Sequence, residues 1–233
     1  MLFRQLFEPV TSTYTYLIAD EASREAVLID PVVEELPKYK ALLEELQLHL
    51  VYSLETHVHA DHVTAADRLR QELGSRSVVH RDGGAPCADV KVDGGDELRV
   101  GSLVFKVLYT PGHTSGDVSY LLGDRVFTGD ALLIGGCGRT DFQEGSADRL
   151  YDSIHTQLFS LPDETLVFPG HDYKGRTVST IGEERATNAR LGNGRSREDF
   201  VALMNGLNLP YPRFIDRAVP ANRQCGREVT QAA

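Results

Sequence analysis

Residues 56–62 read Thr56-His57-Val58-His59-Ala60-Asp61-His62, four metal-capable side chains within six residues, set directly after the apolar run 48–54. Such a run suits a buried strand. Side chains of an extended segment alternate faces, so His57 and His59 point to one side and both imidazoles can face a single cavity. Beyond the cluster, Val63, Ala66, Leu69 and Leu73 recur at helical spacing, which predicts a helix over 63–73 and a strand-to-helix loop around the histidines. Loops at strand carboxyl ends are where open α/β sheets place their sites.

The same arrangement recurs further along. His113 sits in Thr110-Pro111-Gly112-His113-Thr114-Ser115-Gly116, Asp130 in Thr128-Gly129-Asp130, and His171 in Pro169-Gly170-His171-Asp172, each just past a β-type run. One such residue alone would more often be a turn or cap; three in equivalent places point to a shared site. Strands are expected at 3–7, 13–18 and 26–29 as an opening meander, then at 77–80, 98–100, 103–108, 118–122, 126–128 and 166–168. Helices are expected over 37–46, from the Ser146 cap to 159, around Ile181 and Ala186, and over 196–205. A polar loop fills 81–95 and a Pro-rich tail 210–220. Two β-rich halves with intervening helices imply an α/β (α+β) fold of two mixed sheets packed face to face, helices outside. The 233 residues are read as one domain, 1–233, with a short helical and Pro-rich tail from about residue 178.

A formal net charge of -10 repels nucleic acid and anionic membranes, so neither is expected as a partner, and an anionic substrate needs locally placed cations. No apolar run approaches the roughly 20 residues of a membrane span, and the first residues lack a signal-peptide pattern. Three widely spaced cysteines, Cys87, Cys137 and Cys225, argue against a disulfide framework and for a reducing, cytoplasmic location.

The candidate ligands are His57, His59, Asp61, His62, His113, Asp130 and His171. Mixed imidazole and carboxylate donors suit zinc, iron or manganese, and the lack of nearby thiolates argues against a closed structural zinc site. Seven donors exceed one ion's needs. They permit two bridged metals that activate water, or one metal with open positions and helpers around it. Asp30, ending the third strand, is either a turn residue or a carboxylate that orients a ligand.

The hexad His57 to His62, with Gly112-His113, Gly129-Asp130 and Gly170-His171 downstream, resembles the metallo-β-lactamase superfamily, whose fold is an αββα sandwich. Within it, Gly136-Cys137-Gly138-Arg139-Thr140-Asp141-Phe142-Gln143, Gly170-His171-Asp172-Tyr173 and the tail Pro220-Ala221-Asn222-Arg223-Gln224-Cys225-Gly226 are similar to the persulfide dioxygenases, also called sulfur dioxygenases. That resemblance implies oxidation of glutathione persulfide by O2 and water to sulfite and glutathione at one Fe(II) per chain. It implies His57, His113 and Asp130 as ligands, a 2-His-1-carboxylate face that leaves positions for the persulfide sulfur and O2. His59, Asp61, His62, His171 and Asp30 would then orient ligands and hold water. A homodimer is compatible with this reading.

Glutathione persulfide carries carboxylates at both ends, so Arg139 is expected as its principal anchor, with Tyr173, Lys174 and Arg176 completing a cationic wall. Cys137, Asp141 and Asp172 are expected near the pocket. The alternative is a hydroxyacylglutathione hydrolase, a two-metal thioesterase sharing the hexad and a Cys-Gly element; Arg139 to Gln143, Asp172 after His171, and the short helical tail speak against it. A non-catalytic binding module or sulfur carrier using Cys137 or Cys225 is the third reading, with nothing in the sequence marking a depressed thiol pKa.

Overall fold

In a computed structural model, which describes residues 1–227, the chain forms two compact units. One comprises residues 1–92, 99–103 and the chain from Tyr211; the other comprises 93–98 and 104–210.

The first unit opens with β1 (Leu2–Glu8), β2 (Thr13–Ala19) and β3 (Glu25–Ile29), the expected antiparallel meander. Then come α1 (Leu36–Glu45), β4 (His49–Leu54), α2 (Ala66–Leu73), β5 (Arg76–His80) and β6 (Val90–Val92). The helical crossovers through α1 and α2 make β3, β4 and β5 parallel neighbours, since strands joined through a helix run in the same sense, and the 81–89 loop returns β6 parallel to β5. The sheet order is therefore β1-β2-β3-β4-β5-β6. Strand β2 is buried at every residue, as a strand covered on both faces must be. Leu17, Leu28, Leu36, Tyr39, Leu43 and Leu69 pack together between sheet and helices.

Two expectations shift here. The helix at 63–73 begins only at Ala66, because Val63 to Ala65 are drawn into the loop: Val32 bridges Thr64, and the Ala65 N–H donates to the Pro31 carbonyl. The polar stretch 81–95 carries β6, whose Val90-Lys91-Val92 is too short for its alternation to stand out.

The second sheet, order β12-β11-β10-β9-β8-β7, holds β7 (Glu97–Val100), β8 (Leu103–Tyr109), β9 (Val118–Leu122), β10 (Arg125–Gly129), β11 (Leu166–Pro169) and β12 (Ser179–Thr180). Because β9 is antiparallel to both β8 and β10, and β10 is parallel to β11, the carboxyl ends of β8, β10 and β11 share one edge. Helix α3 (Ala147–Ser153), capped by the Ser146 hydroxyl, gives way to a π-helical turn over Ile154–Leu158, so the expected continuous helix to 159 changes pitch midway. Helices α4 (Ile181–Thr187) and α5 (Arg197–Asn205) follow. Leu150, Ile154, Leu158, Phe200 and Met204 form the core of this unit.

The second part of the Pro-rich tail is helical. It forms α6 (Ile215–Asn222) with Pro220 inside; a proline there forfeits a backbone hydrogen bond, but Ile215, Ala218, Ala221 and Asn222 bury one face. Residues 228–233 of the expected domain lie outside the described residues. The cysteine reading is also corrected: Cys87 and Cys225, 138 residues apart, form a disulfide. Spacing in sequence could not show that the tail returns to the 81–89 loop, and with the pair bridged, cysteine parity gives no argument for a reducing compartment. No helix among the described residues is long and apolar enough to cross a membrane.

Candidate metal centre

In the N-terminal unit, β3 and β4 run parallel and deliver Asp30 and the 55–65 loop to one edge. Asp30 adopts a left-handed backbone (φ 51°), unusual for a residue with a side chain. It is held there from both sides: its carbonyl accepts from Thr15 Oγ1 at 2.8 Å, and its carboxylate accepts from the Thr56 N–H (2.7 Å) and Thr56 Oγ1 (2.8 Å). His59 Nε2 lies 3.1 Å from Asp30 Oδ1 and 3.4 Å from Glu55. Burial opposes charge on His59, but the Asp30 and Glu55 carboxylates more than offset it and hold the imidazole well above its ordinary pKa. His59 is therefore committed to these carboxylates through Nε2, in keeping with an orienting role. His62 Nδ1 pairs with Asp61 Oδ2 at 2.8 Å, and Asp61 also accepts from Thr13 Oγ1 at 3.0 Å. His62 Nε2 and His59 Nδ1 are buried without a hydrogen-bond partner. His59, Asp61 and His62 offer ligand atoms within 4.8 Å of one another, as do Asp30, Glu55 and His59.

The tail helix holds this loop. The Asn222 side chain accepts from the Thr64 N–H at 2.9 Å and donates to the carbonyls of His59 (2.9 Å) and His62 (2.8 Å). One buried amide thus satisfies three backbone groups of the histidine-rich loop. Gly226 closes the tail with φ 92°, where a Cβ would stand 2.1 Å from the Thr64 carbonyl, so only glycine fits.

In the other unit, the shared edge of β8, β10 and β11 carries His113, Asp130 and His171. Gly129 adopts φ 50° where the β10–β11 register shifts, a bulge of the sort that re-aims a side chain. His113 Nδ1 donates to the Arg139 carbonyl at 2.6 Å, which leaves Nε2 as the lone-pair nitrogen. That nitrogen stands 3.6 Å from Asp130 Oδ2, and His171 Nε2 stands 3.5 Å from Asp130 Oδ1. Both separations are too long for hydrogen bonds, and Asp130 Oδ1 is buried with no hydrogen-bond partner. Two imidazole nitrogens around an orphaned carboxylate oxygen are the donor set a divalent transition metal takes, so the residues fit a metal. A Cβ on Gly138 would lie 2.6 Å from the Asp130 carbonyl and 2.8 Å from His113 Nδ1, which accounts for the glycine between Cys137 and Arg139.

Asp117 braces the His113 loop by accepting from the Thr114 N–H and hydroxyl, both at 2.6 Å. Burial pushes its carboxyl up to about 6, against the opposing pull of His113 and Thr114. The Thr114-Ser115-Gly116-Asp117 spacing signals such a turn; the sequence reading stopped one residue short of it. Glu55 carries no local signal, and Thr56 and Asn222 lie within motifs that do not show what they bind.

Arg139 grips Asp141 through two parallel bonds (2.6 and 2.7 Å), donates to the Pro210 carbonyl (2.8 Å) and lies over Phe142. Arg176 binds Asp172 (3.0 Å) and the Ile134 carbonyl. Burial raises the Asp172 pKa, but the backbone N–H groups of Arg176 and Lys174 and the Arg176 guanidinium more than compensate, leaving it below the usual range. Tyr173 stacks on His171 while remaining 72 % exposed, and Lys174 is exposed. Cys137 is buried. Its thiol packs in the core 3.9 Å from Met204 Sδ, and burial pushes its pKa up to about 11. A maleimide at about pH 8 is accordingly expected to label no thiol in the native oxidised protein, one in denaturant, and three after reduction. Rapid native labelling at Cys137 would contradict its burial, and labelling at Cys87 or Cys225 would contradict their bridge.

Residues 9–171 match the metallo-beta-lactamase superfamily. The chain is 52 % identical over 235 residues to the persulfide dioxygenase ETHE1, mitochondrial, of Homo sapiens, covering all of this chain and 91 % of that protein. The crystal structure of ETHE1 from Myxococcus xanthus superposes with a TM-score of 0.96 at 60 % identity, covering 97 % of this chain and 100 % of that one. The cytoplasmic hydroxyacylglutathione hydrolase of Arabidopsis thaliana is 36 % identical, over 79 % of this chain and 71 % of that protein. Two mixed sheets with helices, strand-end histidines and aspartates, and full-length identity above one half agree: the chain belongs to the persulfide dioxygenase family of the metallo-β-lactamase superfamily.

Proposed function

We propose that this chain oxidises the outer sulfur of glutathione persulfide with O2 and water, giving glutathione, sulfite and two protons, at one Fe(II) held by His57, His113 and Asp130. The observation that carries this reading is the 52 % identity to the human persulfide dioxygenase over the whole chain. The donor chemistry supports it, since two imidazoles and one carboxylate form the facial triad of mononuclear iron oxygenases. A bound Fe(II) would bring the persulfide sulfur and O2 together and relay electrons from the outer sulfur, which loses four, to O2, which gains four.

The chain's own groups do the rest. The Arg139 carbonyl holds His113 in the Nδ1–H tautomer. His171, with Nε2 3.5 Å from Asp130 Oδ1, and His59, Asp61 and His62 are suited to holding water beside the ligands. Arg139, Tyr173, Lys174 and Arg176 are assigned to glutathione. The Arg139 fork already holds one carboxylate, Asp141, so a substrate carboxylate must share or displace it. Arg139→Ala is expected to raise KM several-fold to about a hundredfold, the loss of a charge-assisted contact of about 1–3 kcal/mol, with iron content unchanged. An unmoved KM would place the anchor elsewhere.

The activity is tested by supplying glutathione persulfide in an oxygen electrode and measuring sulfite. One sulfite per O2 consumed is expected; persulfide that disappears without O2 uptake would overturn the reading.

A further inference from the structure

We propose that Thr56 is a positioning residue that fixes the tautomer of His57, presenting Nε2 as the ligand nitrogen through an Asp30–Thr56–His57 hydrogen-bond relay. The use of that nitrogen rests on the iron-ligand role given to His57 above. The relay itself rests on a proton count.

Thr56 Oγ1 stands 2.8 Å from Asp30 Oδ2 and 3.0 Å from His57 Nδ1. A hydroxyl has one proton, and a carboxylate can only accept. The Thr56 proton therefore goes to Asp30, and the remaining contact is a hydrogen bond only if His57 Nδ1–H donates to Thr56 Oγ1. His57 is thereby held as the Nδ1–H tautomer, its lone pair on Nε2. Asp30 cannot turn away to release the hydroxyl. Its other oxygen accepts from the Thr56 N–H and His59 Nε2, its carbonyl accepts from Thr15, and Tyr39, 3.0 Å from Thr15 Oγ1, also accepts from the Val32 N–H beyond Asp30. Asp30, Thr56 and Tyr39 are each 1 % exposed, so water does not compete for these contacts. A left-handed aspartate (φ 51°) persists where its surroundings over-determine it; here its carboxylate serves the residue next to a ligand. His113 reaches the same end through the Arg139 carbonyl, so both histidines carry their proton on Nδ1.

The test uses the full-length, metal-free protein with 15N-labelled histidine at about pH 8, where an ordinary imidazole is neutral. Long-range 1H–15N correlation should report His57 as the Nδ1–H tautomer in the wild type and in Thr56→Ser, which keeps the hydroxyl. Thr56→Val keeps the shape and removes the acceptor, so the tautomer should become mixed and Fe(II) affinity fall ten- to a hundredfold, with Thr56→Ser restoring it. A wild-type His57 protonated on Nε2 overturns the proposal without any variant, even if Thr56→Val does not fold. Unchanged tautomer and affinity in a folded Thr56→Val also overturn it. Full iron retention by His57→Ala would remove the ligand role separately, while the spectrum still decides the Thr56 contact.

Discussion

Replacement of His113 by alanine is expected to give a folded chain that retains no iron and takes up no O2 with glutathione persulfide. His113 is pre-set for ligation: its Nδ1 proton is taken by the Arg139 carbonyl and its loop is braced by Asp117. Removing it leaves two of the three proposed donors, one of them a single carboxylate, and such a pair is a weak site for Fe(II). The fold does not depend on it, since the core of that unit is built from Leu150, Ile154, Phe200 and Met204. Asp130→Ala should behave alike, because the orphaned Oδ1 has no other task. Elemental analysis, circular dichroism and an oxygen electrode read the three quantities. Loss of folding together with the metal would mark a structural site instead, and full iron retention would refute the ligand assignment.

The second large effect is expected at Asn222, far along the chain from the loop it holds. Its amide satisfies one backbone N–H and two carbonyls of the 59–64 loop, all buried. At about 1 kcal/mol net for each bond, Asn222→Ala should lower stability by about 3 kcal/mol. With a slope near 3 kcal/mol/M, the urea midpoint falls by about 1 M. Asn222→Asp is the sharper comparison. A carboxylate can still accept from Thr64 but faces the His59 and His62 carbonyls with a second acceptor, so it should destabilise at least as much as alanine. An aspartate variant as stable as the wild type would show that these bonds do not hold the loop.

The distribution of legible and illegible features follows from how far each signal reaches along the chain. The histidine hexad announced itself because strand, glycine and ligand are adjacent in sequence, and Gly112-His113, Gly129-Asp130 and Gly170-His171 repeat that local grammar. The meander and the longer strands of both sheets are readable from local β-type runs, whereas β6 and β12 are too short to show. Asn222, by contrast, acts on residues about 160 positions away, and α6 contains a proline that argues locally against a helix. The Cys87–Cys225 bridge spans 138 residues and was excluded by parity and spacing, neither of which carries three-dimensional proximity. Cys137 is expected near the pocket because it lies in the loop between Asp130 and Arg139. Its side chain instead turns to Met204, which no local pattern records. The role of Thr56 required atoms: only the distances to Asp30 and His57 reveal where its proton goes.

The relatives include both a persulfide dioxygenase and a hydroxyacylglutathione hydrolase, and His59, Asp61, His62 and His171 leave enough donors for a second ion. Metal content measured together with O2 uptake separates the two chemistries. The purified protein should carry one iron per chain and consume O2 in proportion to glutathione persulfide. Two zinc ions per chain, thioester hydrolysis and no O2 uptake would contradict it.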